Sequence, residues 1–358
     1  MRLRTVLFNT HLCLGLAAAV FVTILGVTGS IMAFEPEIEH VTHPHRWYVS
    51  PPPGARALSL RELSERVQRA YPGDTVQGYY VSTQPGLSYQ IYLTQRVVYL
   101  DQYSGAVLDV DGGGPDWLNV VHQMHLRLLI QSRGDPGKKT VTAAAAVLLL
   151  MSLSGLYLWW PLKRVRISWD GGNRRSWFDL HNASGVLAFA FLLILTGTGL
   201  VMGFERSSTA LFYRATGSQP SPRPDLHVTP VPGVTPIGAD SAFAIARAAL
   251  PGAAPFAMNL PPPGQAIVVR ARFPEDRTPG GRSIVVLDPY TGRVRFAEGS
   301  RTAPAGARWV IANRALHTGD IFGLPSKFVM SLASLGAVLQ VISGVMMWLK
   351  RKERGLRT

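Results

Sequence analysis

Four predominantly apolar stretches of the chain carry no charged side chain: Leu12–Phe34, Thr140–Trp160, Asn182–Phe204 and Phe328–Leu349. Each meets the roughly 20 residues that cross about 30 Å of hydrocarbon at 1.5 Å per residue. The pattern predicts four transmembrane helices, one within 1–34 and the others at 140–160, 181–204 and 328–349. The first apolar run exceeds the 7–15 residues of a secretory signal, and a near copy of it lies mid-chain, so it is expected to be a retained helix. The polar stretches 35–139 and 205–327 read differently. Leu58–Ala70 and Ser241–Leu250 have helical periodicity, and short strand-like runs follow each of them. These runs are Val76–Ser82, Tyr89–Leu93, Val97–Asp101 and Ala106–Asp109, then Ala266–Phe273, Ser283–Asp288 and Arg293–Ala297. Proline-rich linkers (PPPG at 51–54 and 261–264, PSPRP at 220–224) punctuate both stretches. Each is expected to be a small α+β module.

The pattern is written twice. HLCLGLAAAVFVTILGVTGSIMAFE at 11–35 aligns with HNASGVLAFAFLLILTGTGLVMGFE at 181–205, an offset of 170. His11, Gly15, Leu25, Thr28, Gly29, Phe34 and Glu35 fall on His181, Gly185, Leu195, Thr198, Gly199, Phe204 and Glu205. YPGD at 71–74 matches LPGA at 250–253, and DQYSGAVLD at 101–109 matches DPYTGRVRF at 288–296. Trp117 and His125 recur 192 residues on as Trp309 and His317. Ser154, Gly155 and Trp159 recur as Ser343, Gly344 and Trp348. Each copy is helix, polar module, histidine segment, helix. Both copies start on the same side, which predicts parallel repeats about a pseudo-twofold axis along the membrane normal.

Charge sets the expected orientation. Segments 1–10, 161–180 and 350–358 hold twelve Lys/Arg against three acids, Asp170, Asp179 and Glu353. Positive-inside asymmetry puts these segments and both termini in the cytoplasm and the two modules outside. The pI of about 10.3 then reflects topology, and a nucleic-acid partner is not expected. The second long segment is the more basic: thirteen Arg and eight acids in 205–325, against ten basic and eleven acidic residues in 35–139. Cys13 is the only cysteine, so one chain has no disulfide framework.

A helix opening with His, a module with Pro-Gly and then Asp-x-Tyr-[Ser/Thr]-Gly-x-Val, and a Trp-x7-His segment resemble the PepSY-associated transmembrane family over nearly the whole chain. The resemblance implies a multi-pass protein of the bacterial inner membrane with periplasmic modules. Members include haem proteins that reduce ferric siderophores in the periplasm.

The histidines are weighed against that expectation. A lone imidazole at a helix end is more often an interfacial residue than a ligand. Here the repeat keeps His11 as His181 while its neighbours Leu12, Cys13 and Leu14 become Asn182, Ala183 and Ser184. Ionisable residues at membrane depth are functional candidates by default. A parallel twofold brings His11 and His181 to one depth as an axial pair for haem b within a four-helix core. Glycines at 15, 26, 29, 185, 197 and 199 leave room for a macrocycle or for close helix packing, which is at least as good a reading. His125 lies on an apolar arc with Trp117, Leu118, Val121, Met124, Leu128 and Leu129, usually the mark of a core histidine. Its recurrence as His317 favours ligation of a second haem b, about one leaflet from the first. His122 aligns with Arg314, so it is expected near the site or substrate and only as a weaker candidate ligand. His40, His43 and His45 read as a surface loop broken by Pro44, and nothing in the repeat supports His227.

No HExxH, GxSxG or Cys-x-x-Cys is present, and the glycine runs at 112–114, 171–172 and 280–281 read as turns. No inward segment is long enough for a nicotinamide or flavin domain. The expected function is therefore a diheme relay. It would carry electrons from a cytoplasmic-side donor or quinol to a periplasmic acceptor, by resemblance a ferric siderophore. A basic second module would attract an anionic chelate, although scattered Arg for solubility fits as well. The competing reading is a haem-free membrane regulator, because PepSY modules also occur in proteins thought to restrain peptidases. A transporter is disfavoured because no helix carries a mid-membrane charge.

Overall fold

The computed structural model describes residues 3–355 except 115, 164, 166, 168–173 and 279, with side chains described to 350. The glycine pair 171–172, and Arg2, Arg164, Arg166, Asp170 and Arg357 of the basic strips, lie outside the described residues. The chain begins α1 (Leu3–Met32), α2 (Glu35–Thr42), α3 (Pro44–Trp47) and α4 (Leu60–Ala70). Strands β1 (Val76–Tyr80), β2 (Tyr89–Leu93), β3 (Val97–Leu100) and β4 (Val107–Asp111) follow, then α5 (Trp117–Arg127) and α6 (Pro136–Trp159). The second copy runs α7 (Arg174–Gly203), α8 (Glu205–Thr216), α9 (Ala239–Ala249), β5 (Ala254–Asn259), β6 (Ile267–Arg272), β7 (Ser283–Leu287) and β8 (Val294–Glu298). It closes with α10 (Ala305–Thr318) and α11 (Leu324–Gly355).

Two compact units emerge: Met1–Glu35, Trp117–Phe212 and Ala312–Thr358 form one, Pro36–Asp116 and Tyr213–Ile311 the other. In the helical unit α1 and α7 each pack against both α6 and α11, so the repeated helices α1 and α7 stand diagonally across a four-helix ring. Leu3–Met32, Pro136–Trp159, Arg174–Gly203 and Leu324–Lys350 are long and apolar enough to cross a membrane. Val20, Leu187 and Leu332 are each about two-thirds exposed, as lipid-facing side chains of such helices are. Ala18, Val22, Leu192 and Ala337 fill the middle of the ring.

The helices outrun the charge-free stretches. α1 starts at Leu3 and α7 at Arg174, so His11 and His181 sit about two turns inside their helices and not at the mouths. Arginines are good helix formers, and nothing between them and the apolar run breaks the helix. α6 starts at Pro136, where the Asp135 carboxylate caps the Lys138 N–H, four residues before the charge boundary. The His125 segment belongs to this helical unit and not to the module that precedes it in sequence.

In the second unit the two expected modules share one sheet. Its eight antiparallel strands run β4-β3-β2-β1-β5-β6-β7-β8, a palindrome about the β1–β5 seam. The sequence reading missed β5, the seam strand, because four consecutive buried residues and Pro255 hide any alternation. α4 buries Leu60, Leu63 and Val67, and α9 buries Ala239, Ala242, Phe243 and Ala246, against one core with Ile91, Leu100, Val269 and Leu287. A capping box of Ser59 and Glu62 opens α4, and the Asp240 carboxylate of α9 accepts the Leu60 and Arg61 N–H groups. The Asp-x-Tyr-[Ser/Thr]-Gly motif is turn chemistry. Asp101 and Asp288 accept the Tyr103 and Tyr290 N–H groups, and Gly105 and Gly292 take φ of 74° and 71°.

The seam depends on Gly78. A Cβ there would lie 2.6 Å from the Met258 carbonyl oxygen of β5. Gly78→Ala is expected to lower stability by about 1–3 kcal/mol, read as a lower unfolding midpoint in detergent. Gly73→Ala, whose Cβ would meet nothing within 4 Å, is the control expected to leave that midpoint in place.

Candidate functional site

The four-helix ring brings together the histidines that the repeat singled out. His11 of α1 and His181 of α7 have ring centroids 6.4 Å apart at an interplanar angle of 87°. His125 of α5 and His317 of α10 have centroids 6.4 Å apart at 52°. Two imidazoles ligating one metal from opposite sides, with metal–nitrogen bonds of about 2.0–2.1 Å, have centroids roughly 6.3–6.5 Å apart. Both separations meet that value.

Each histidine is held by a hydroxyl from another helix. His11 Nδ1 lies 2.8 Å from Ser154 Oγ of α6, and His181 Nδ1 lies 2.9 Å from Ser343 Oγ of α11. His125 Nδ1 lies 3.0 Å from Thr28 Oγ1 of α1, and His317 Nδ1 lies 2.9 Å from Thr198 Oγ1 of α7. These hydroxyls already donate within their own helices, Ser154 to the Leu150 carbonyl and Ser343 to that of Leu339. Thr28 donates to the Ile24 carbonyl and Thr198 to that of Ile194. With its proton committed, each oxygen faces the imidazole as an acceptor, so Nδ1 must carry the hydrogen. The four Nε2 atoms are then lone pairs. That is the tautomer a metal needs.

A glycine follows every hydroxyl. A Cβ on Gly29 or Gly199 would meet His125 Cε1 or His317 Cε1 at 3.0 and 3.2 Å. On Gly155 or Gly344 it would meet His11 Cε1 or His181 Cε1 at 3.4 and 3.6 Å. Gly26 instead lies against the Ser334 carbonyl of α11, so the glycines split between those facing a histidine ring and those in helix packing. Burial holds His125 and His317 down to about 4, so both are neutral, the ligating form, at ordinary pH.

The remaining histidines are occupied elsewhere. His122 Nδ1 lies 3.1 Å from Glu35 Oε2, one turn from His125 and outside the pair. His40 packs against Trp47 with ring centroids 4.8 Å apart, tilted at 51°. His43 and His45 also stand 6.4 Å apart, which shows that separation alone does not define a site: His45 Nε2 is directed at Asp109, 3.5 Å away. His227 uses its backbone N–H on Asp225. Among the described residues no group of three or more His, Cys, Asp or Glu converges as a metal cluster. Sequence reasoning recorded Thr28, Thr198, Ser154 and Ser343 only as repeat matches. Their signal was a hydroxyl–glycine pair duplicated in step with each histidine.

The two pairs are farther apart than one leaflet. His11 and Thr28, which holds His125, are 17 residues apart on α1, about 25 Å of helix. His181 and Thr198 repeat that spacing on α7.

Fold and site define a multi-pass membrane protein built from two parallel repeats, with one histidine pair towards each end of a four-helix ring. The chain belongs to the family described as the PepSY-associated TM region, which matches residues 8–351. Among curated proteins, none matches it.

Proposed function

We propose that the chain binds two b-type haems, one between His11 and His181 and one between His125 and His317. It would carry electrons across the bacterial inner membrane to a periplasmic acceptor. The observation that carries this reading is the twice-repeated imidazole pair with axial spacing, Nδ1 fixed and Nε2 free. Bound there, the haems would supply reversible one-electron chemistry. The chain contributes the ligands, their orientation by Ser154, Ser343, Thr28 and Thr198, and the apolar middle of Ala18, Val22, Leu192 and Ala337 that keeps water from the path. Attachment would be non-covalent, since the sequence has no Cys-x-x-Cys-His.

Basic segments flanking the helices support a cytoplasmic donor side, served by a quinol or a separate protein. A ferric siderophore suits the acceptor role, because its hard oxygen donors hold Fe(II) poorly and release it after reduction. The test is optical. Protein purified from haem-replete cells is expected to show a Soret band and about two haems per chain by the pyridine haemochrome assay. A colourless preparation rejects the haem reading and leaves the regulator in its place.

A further inference from the structure

Resting on that haem reading, we propose that Thr28, Thr198, Ser154 and Ser343 are positioning residues. They would fix the tautomer and electron density of the axial histidines, so that each haem's reduction potential is set from helices other than those bearing its ligands. Back-bonding hydroxyls are common in apolar helices, and by themselves mean nothing. Ser30, Thr142, Ser152 and Thr196 all donate to the carbonyl four residues back without meeting a histidine. The four proposed residues do both, and each is followed by a glycine whose missing Cβ would face Cε1 of the same imidazole, tightly at Gly29 and Gly199 and at ordinary contact distance at Gly155 and Gly344. The arrangement therefore holds each ring by a hydrogen bond at Nδ1, and the glycine beside that hydroxyl keeps side-chain bulk away from Cε1.

Chemically, an Nδ1–H that donates makes the imidazole a more basic ligand and favours ferric over ferrous iron. Removing the acceptor should raise the midpoint potential of that haem alone. The experiment is an optical redox titration of Thr28→Val, an isosteric change that deletes the hydroxyl, beside Thr28→Ser, which restores it. Ser154→Ala is titrated as the counterpart at the other pair. Thr28→Val is expected to raise the ferrous-to-ferric ratio of the His125/His317 haem at fixed poise by up to about tenfold, which is about 59 mV for a one-electron couple. Thr28→Ser should return it to the parent value, and Ser154→Ala should move only the His11/His181 haem. Loss of the His125/His317 haem in Thr28→Val with retention in Thr28→Ser also supports the proposal. Two retained haems with unchanged potentials would overturn it, as would equal disturbance by Val and Ser. A parent protein without haem fails the underlying reading instead, so the two failures are distinguishable.

Discussion

His125→Ala is expected to reduce the purified protein from two haems per chain to one, and His317→Ala should do the same. The ring centroids of the two imidazoles are 6.4 Å apart, so removing either would leave the proposed haem with a single histidine in a site shaped for two. His11→Ala and His181→Ala should remove the other haem and spare the first. About 25 Å of α1 separates the two sites, beyond the reach of direct contact between them. Combining His11→Ala with His125→Ala should give a protein with essentially no Soret band. His122→Ala should keep both haems, because its ring pairs with Glu35 and stands outside the proposed axial pair. The measurement is haem per chain by pyridine haemochrome, with the surviving band identified by redox titration. Loss of a haem in His122→Ala together with its retention in His125→Ala would show that the wrong histidine of α5 was chosen.

The second large effect concerns direction. Dithionite-reduced protein should be reoxidised by a ferric siderophore, with Fe(II) captured by a ferrous chelator. Loss of the His125/His317 haem should abolish this transfer. Loss of the His11/His181 haem should spare the single turnover from pre-reduced protein and stop sustained turnover driven by a donor on the opposite side. The asymmetry follows from the proposed orientation: with the basic segments in the cytoplasm, the His125/His317 pair would be the one nearer the acceptor. If reduced protein with both haems intact transfers no electron to any ferric chelate tested, the relay survives and the siderophore is withdrawn as its acceptor.

Both predictions rest on residues that were legible before any coordinates. Duplication exposed them: His11, His125, His181 and His317 recur at fixed offsets amid changed neighbours, which a single copy could not have shown. The four spans were legible because uncharged runs of bilayer length are a one-dimensional signal. Their starting residues were not. The absence of charge marks where hydrocarbon can be tolerated, whereas α1 and α7 continue through charged turns that remain good helix.

The sequence by itself determined the number of candidate membrane spans, the twofold repeat, most strands and which four histidines recur, because each is encoded in local periodicity or in comparison between copies. Tertiary structure alone decided three things. It joined two four-stranded modules into one sheet through β5, whose burial on both faces erases the alternation that announces a strand. It assigned His125 and His317 to the helical ring, since a segment's unit is set by long-range packing and not by its neighbours in sequence. It also showed the hydroxyl behind each imidazole. Thr28 and His125 are 97 residues apart, and His11 and Ser154 are 143 apart. A hydrogen bond across such distances depends on which helix faces meet, and that is settled only when the ring closes.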